Sequence, residues 1–199
     1  LEPRRRRLPD TVDASNADIV SERLTLRLLP AAFLEATLDG RRDEAERLLG
    51  LRIHPEWWTA TALARMRLND LSRDPEYAPW SLRAIALSAT GVMIGHAGFH
   101  TSAGPSYLER WAAGGVEFGY TVYTPYRRRG YATETAQALI EWARRAHGVS
   151  RFVLTIAPDN EASQRIARKL GFRAVGVHVD VEDGIEDVYA LRDDAPNAG

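Results

Sequence analysis

The chain has 199 residues, 45% of them hydrophobic and 27% charged, which is enough for one self-supporting domain and ordinary for a globular protein. A formal net charge of −1 excludes a global field that would recruit nucleic acid or membrane, so any basic function must be local. The absence of cysteine excludes disulfides, thiolate metal sites and a cysteine nucleophile, and fits a reducing, cytoplasmic compartment; no apolar run approaches the roughly 20 residues of a membrane span, and no signal-peptide pattern opens the sequence.

Residues 1–19 are basic, then polar, without periodicity, and are expected to form a flexible tail that includes the run Arg4–Arg7. Leu24, Leu26 and Leu28 alternate with polar residues and predict a strand. Pro30 opens a helical region broken at Gly40, and a further helix follows from Thr59 to Asp74, with Leu63, Met66 and Leu71 expected on its inner side. "SLRAIALS" and "VMIGHAGFHT" read as strands joined by a turn at Thr90-Gly91, "GPSYLERWAAGG" as a connection, and Val116–Tyr123 as another strand. A helix is expected over 133–146, with Ala136, Leu139, Ile140 and Ala143 on one face. "RFVLTIA" predicts a buried strand, and "NEASQRIARKLG" a helix capped by Asn160 and stopped by Gly171. Two strands joined at Asp183-Gly184 follow, and 193–199 form a loose tail. This order predicts an α/β domain over 20–192 with a mixed sheet.

The stretch "TPYRRRGYATETAQALIEWA" places Arg127, Arg128 and Arg129 at the start of a helix, the end where the dipole disfavours cations. An anion at that turn would resolve the conflict. The first helical N–H groups lack internal partners and point outward; Gly130 and Ala132 allow close approach, Tyr131 flanks the turn, and Thr133 offers a hydroxyl. A pyrophosphate cradle and an arginine-rich surface loop both fit this short pattern. The Walker and dinucleotide fingerprints fit less well, since the first needs Lys-Ser/Thr and the second three spaced glycines.

With its flanks included, the pattern is similar to the coenzyme A loop of the GNAT superfamily of N-acetyltransferases. "GGVEFGYTVYTPYRRRGYATETAQALIEWA" and "APDNEASQRIARKLGFRAVG" resemble the RimJ/RimL-type branch, in which Glu-x-Gly-Tyr precedes the loop and Asn-x-x-Ser follows the next strand. The resemblance runs from about residue 20 to 192 and is most specific over 116–172.

What the resemblance implies is a GNAT fold: a mixed, mostly antiparallel twisted sheet of six to seven strands, splayed at a central parallel pair and flanked by helices. Acetyl-CoA would lie in the splay between Val116–Tyr123 and Phe152–Ala157, with backbone of Thr121, Val122 and Tyr123 facing the pantetheine arm and Arg127–Thr133 on the pyrophosphate. Asn160 matches the asparagine that contacts the arm, and a helix cap would also explain it. The implied reaction is direct attack of a primary amine, from a protein N-terminus or a small molecule, on the thioester. The N–H of Val122 or Tyr123 would serve the oxyanion. Glu117 is the candidate base, expected to have a raised pKa on an apolar strand; a structural carboxylate paired with arginine is the alternative. The family often places a tyrosine acid where this chain has Ala167, which leaves Ser163, or water, to protonate the thiolate. Ser163 is thus expected to serve both catalysis and cofactor binding. His96 and His100 share a strand face and are an alternative base or cleft lining, while Trp57, Trp58 and Trp80 belong to the segment that walls the acceptor cleft in this family.

Acetyl-CoA and an amine acceptor are therefore the expected partners, with no metal, no membrane, no nucleic acid and a homodimer left open. A catalytically weak acyl-CoA-binding module on the same fold is the competing reading. An RNA-binding role for the two arginine runs lacks interleaved aromatic motifs and positive net charge.

Overall fold

The structure is a computed structural model, and it describes residues 17–180 and 184–192. The run Arg4–Arg7, the tail over 193–199 and Asp183 of the expected hairpin turn lie outside the described residues.

Eight strands form one sheet: β1 (Ile19–Val20), β2 (Leu24–Leu28), β3 (Arg83–Leu87), β4 (Val92–Phe99), β5 (Val116–Val122), β6 (Arg151–Ile156), β7 (Arg173–Asp180) and β8 (Gly184–Arg192). Their spatial order is β1-β2-β3-β4-β5-β6-β8-β7, and every neighbouring pair is antiparallel except β5–β6. The expected six to seven strands become eight because two residues, too short for a pattern, pair at the edge. Ile19 stands opposite Leu26 and is buried, inside the stretch expected to be a tail.

Helices cover both faces. On one lie α1 (Ala31–Leu38), α2 (Arg42–Leu49) and α3 (Thr61–Arg73), packed over Ala84, Ala86, Met93 and Tyr123 around the fully buried Trp57. Trp58 stays half-buried under Arg42, whereas Trp80 packs with Phe99 and Trp142 in the core of the opposite face. Met66 is exposed, and α3 buries Ala64 and Arg67 instead, one residue round the helix from the expected stripe. Arg67 is accommodated because its guanidinium pairs with Asp70 and donates to the carbonyl of His100.

The other face carries α5 (Tyr131–His147) and α6 (Glu161–Lys169). Thr135, Ala136, Leu139, Ile140 and Ala143 bury one stripe of α5 against Leu24, Ile85, Phe99, Val116, Phe118 and Phe152. This helix starts two residues earlier than expected, because Gly130 takes a left-handed conformation (φ 83°) and turns the chain directly into it. The expected connection over 104–115 contains a 3-10 turn (Ser106–Leu108) and a short helix, α4 (Glu109–Ala112), which cover β6 and β8 through Leu108, Trp111, Val153 and Val188.

Candidate active site

The sheet divides at β5. Val116 pairs with Phe152 and Glu117 with Val153, and beyond these two positions β5 and β6 separate. On its other side β5 stays paired with β4 as far as Val122 opposite Gly95. The amide of Tyr123 donates to the carbonyl of Ile94, and the amide of His100 to the carbonyl of Glu117. Antiparallel alternation therefore commits the backbone of Glu117, Gly119, Thr121 and Tyr123 to β4, and turns that of Phe118, Tyr120 and Val122 toward the gap. Of the three backbones expected to face a bound arm, only that of Val122 does so. Thr121 reaches the cleft from its edge, and buried Tyr123 has spent its N–H.

Two connected cavities occupy the gap. The larger, about 970 Å³, runs from Tyr120, Thr121 and Val122 past Arg127–Thr133 to Asn160, Ser163, Arg165 and Lys169. The smaller, about 310 Å³, is bounded by Phe118, Gly119, Tyr120, Leu154, Thr155, Asn160, Ser163 and Glu186. Tyr120, Asn160 and Ser163 line both. A third groove of about 730 Å³, between the β1–β2 turn and α5, shares only Gly130, Thr133 and Lys169 with the large cleft, and Asn160 and Ser163 do not line it.

The loop ahead of α5 gathers backbone donors and cationic side chains at one turn. Arg128 adopts φ 61°, a left-handed conformation costly for a side-chain-bearing residue, and Gly130 follows at φ 83°. Such turns aim successive N–H groups into one concavity, here continued by the unpaired first-turn amides of Tyr131, Ala132 and Thr133. Arg127, Arg128 and Arg129 are all exposed at its rim. Arg127 also folds back to donate from Nε to the carbonyl of Val122 (2.9 Å), which locks the end of β5. Across the cleft, Asn160 caps α6 by accepting the Ser163 N–H (3.1 Å). The donor set, the open Val122 amide and a slot between parallel strands fit a linear amide-bearing arm with a pyrophosphate end.

Side chains alternate along β5, so Glu117 lies on the face opposite Tyr120 and Phe118. Its carboxylate is buried and fully engaged. Oε1 accepts from Thr155 Oγ1 (2.6 Å) and stands 3.4 Å from His100 Nδ1, and Oε2 accepts from Tyr107 (2.9 Å). Burial pushes its pKa up, but the bond and charge of His100 and the Thr155 and Tyr107 hydroxyls together outweigh burial and hold it below the ordinary carboxylate value. This corrects the expected raised pKa: the strand is apolar, yet its neighbours are donors. No arginine pairs with it among the described contacts.

His100 is 39% exposed beside this carboxylate, and a Cβ at Gly119 would come within 3.3 Å of its Nε2, so the glycine makes room for the ring. His96, expected as its partner, is packed edge-on to Trp57 and beside Tyr123, and burial lowers its pKa to about 4. It is a neutral core residue. Tyr107 and Thr155 escaped the sequence reading, and Tyr120 entered it only as the tyrosine of Glu-x-Gly-Tyr, with no role. Tyr107 sits in a segment without periodicity, and Thr155 looks like an ordinary strand residue. No group of three or more potential metal ligands occurs among the described residues, and none of their helices is long and apolar enough to cross a membrane.

Comparison with known proteins agrees with this geometry. A family model for the acetyltransferase (GNAT) domain matches residues 23–173. The uncharacterized N-acetyltransferase YjdG of Bacillus subtilis is 42% identical over 59 residues, 30% of this chain and 35% of that protein, so the match spans about a third of the relative's length. A putative ribosomal-protein-serine acetyltransferase from Vibrio cholerae has the same fold at a TM-score of 0.60 and 18% identity, covering 89% of this chain and 98% of the other. RimL, a ribosomal L7/L12 alpha-N-protein acetyltransferase solved with coenzyme A, superposes at 0.58 and 20% identity, covering 88% and 98%. With the splayed parallel pair, the arginine-rich turn and the family match in agreement, the chain belongs to the GNAT acetyltransferase family.

Proposed function

We propose that this protein is an acetyl-CoA-dependent N-acetyltransferase that moves the acetyl group directly to a primary amine within a ternary complex. The observation that carries the reading is the gap between β5 and β6 opening onto the Arg127–Thr133 turn. It offers an unpaired strand edge for the pantetheine amides and a nest of N–H groups and arginines for the pyrophosphate.

In this reading the residues divide the work by position. Arg127–Arg129 and the amides of Gly130–Thr133 bind the phosphates, and Asn160 and Ser163 form the far wall. The Val122 N–H stabilises the developing oxyanion. Proton removal from the amine falls to the Glu117–His100 pair. Glu117 is held ionised by three donors, which suits it to orient and charge-balance His100, while His100 is the member exposed to an incoming amine. The cysteine-free chain suits a cytoplasmic setting. Protein N-termini, as for the alpha-N-protein acetyltransferase RimL, and small-molecule amines are both acceptor candidates.

The test is a thermal-shift titration with acetyl-CoA followed by a coenzyme A release screen over N-terminal peptides, polyamines, amino acids and aminoglycosides. A raised melting temperature and acceptor-dependent release are expected. No thermal shift at saturating acetyl-CoA refutes the cofactor assignment; a shift without release on any amine favours the acyl-CoA-binding module.

A further inference from the structure

Among the residues that line the two cavities of the gap, Tyr120 alone carries a buried side-chain polar atom without a hydrogen-bond partner among the described residues, its hydroxyl. A buried hydroxyl without a partner is costly and calls for an explanation. Ser163 is its polar neighbour, but their contact falls outside hydrogen-bond geometry. Tyr120 lines both the long cleft that starts at the arginine turn and the small cavity, together with Asn160 and Ser163. A thioester carried on an arm anchored at that turn would lie along this shared wall.

The two faces of β5 then acquire different duties. Glu117 and His100 lie on one face, where an amine can approach, and Tyr120 and Ser163 lie on the α6 face. Attacking amine and departing thiolate occupy different directions about the tetrahedral carbon, so a proton acceptor on one face and a donor on the other match the reaction. Resting on the acetyltransferase reading above, we propose that Tyr120 is the catalytic acid that protonates the departing coenzyme A sulfur. The amine nitrogen forms the C–N bond, the C–S bond breaks with its electron pair passing to sulfur, and the Tyr120 O–H proton moves to that sulfur. The amine's surplus proton leaves through the Glu117–His100 side to solvent, and water returns a proton to Tyr120 by way of Ser163. Burial raises the tyrosine's pKa, only partly offset by Ser163, so the group is protonated at neutral pH. The helix position where the family often carries its acid is Ala167, buried in the same core cluster against which Tyr120 packs.

The experiment needs no acceptor. Coenzyme A itself is bound to the protein and to its Tyr120→Phe and Ser163→Ala variants, and thiol ionisation is followed against pH by ultraviolet difference absorption. Each ligand-free protein supplies the baseline. A hydroxyl that donates to the thiolate favours the charged form, so the bound thiol should ionise about one pH unit lower in the wild type than in Tyr120→Phe, tenfold in the ionisation constant. Tyr120→Phe deletes an oxygen that bonds nothing in the protein, so its ligand-free melting temperature should not fall. Equal ionisation in wild type and Tyr120→Phe overturns the assignment, as does a shift seen only in Ser163→Ala. Failure of the wild type to bind coenzyme A instead removes the acetyltransferase reading, and this proposal with it.

Discussion

Arg23 and Glu134 are 111 residues apart in the chain and 2.6 Å apart in the fold. Glu134 is in the first turn of α5 and accepts from Arg23 Nε (2.7 Å), the Arg23 amide (2.8 Å) and Ser21 Oγ (2.8 Å). The same guanidinium reaches the carbonyl of Arg129 (3.1 Å) and lies over the Tyr131 ring at 4.7 Å. Arg23 thus ties the β1–β2 turn to the loop on both sides of Gly130. Its side chain is 44% exposed, so the value of the pair lies in geometry more than in Coulomb energy.

Loss of that tie should release the strained turn. A left-handed residue such as Arg128 costs roughly 1–2 kcal/mol, so an untethered loop would leave its binding conformation by about that amount. Arg23→Ala or Glu134→Ala should therefore weaken coenzyme A binding about tenfold, as the competent population falls. Isothermal titration reads the change, and hydrogen exchange at 127–133 in the ligand-free protein should rise while the middle of α5 stays protected. Unchanged affinity in both variants would show that the turn holds its shape without the pair.

Glu117 and His100 make separable predictions on the best acceptor found. Glu117→Gln should lower kcat/KM by roughly a hundredfold or more, the range for loss of acid–base function, with little change in the KM for acetyl-CoA. His100→Gln keeps a donor for the carboxylate but cannot carry the proton, so it should lower kcat/KM by roughly tenfold or more with little change in the KM for acetyl-CoA. If His100→Gln retains the wild-type rate, His100 is only a structural partner.

Much of this architecture was legible in the sequence because it rests on local rules. The α5 stripe, the Asn160 cap, the glycine stop at Gly171 and the alternation of β2 are one-dimensional patterns. The lining of the candidate site was legible where motif and backbone coincide, since Arg127–Thr133 and Asn160 all border the gap. It was not legible where chemistry depends on cross-strand neighbours. The pKa direction at Glu117 is set by Thr155, His100 and Tyr107, which come from β6, the end of β4 and a 3-10 turn. Which β5 amides face the gap follows from register with β4, and register cannot be read from β5 alone. Met66 was misplaced because Arg67, whose Nη1 pairs with Asp70 and donates to a backbone carbonyl, took the buried position.

Gly130 provides a sharper test of the loop. Its φ of 83° suits glycine, and a Cβ there would meet Arg23 at 3.3 Å. Gly130→Glu adds strain, a contact and a negative charge where phosphate is expected. The variant should lose the acetyl-CoA thermal shift entirely, while the folded protein remains detectable by circular dichroism. A retained shift would place the pyrophosphate elsewhere.

His96 predicts how stability responds to acid. Burial lowers its folded pKa from 6.5 to about 4, so the unfolded chain binds a proton that the native state refuses in that interval. Stability should therefore begin to fall as pH drops below about 6.5 and continue to about 4, by roughly 3 kcal/mol at 1.36 kcal/mol per unit. Glu117 and Glu134 act lower. Their folded pKa values are depressed, so their contribution is complete above the unfolded carboxylate value of about 4.3 and disappears as pH falls through the folded values. Urea midpoints measured from pH 8 to 4 should show the first decline well above the carboxylate range. His96→Phe, which keeps a ring against Trp57 and Tyr123, should make the curve shallower between pH 6.5 and 4.5, leaving the part due to His147, whose pKa burial and the Arg83 charge also lower, and the acid loss below it. A wild-type profile already flat over that interval would mean that His96 takes up its proton inside the fold, and the Trp57–His96–Tyr123 packing would have to open to admit water.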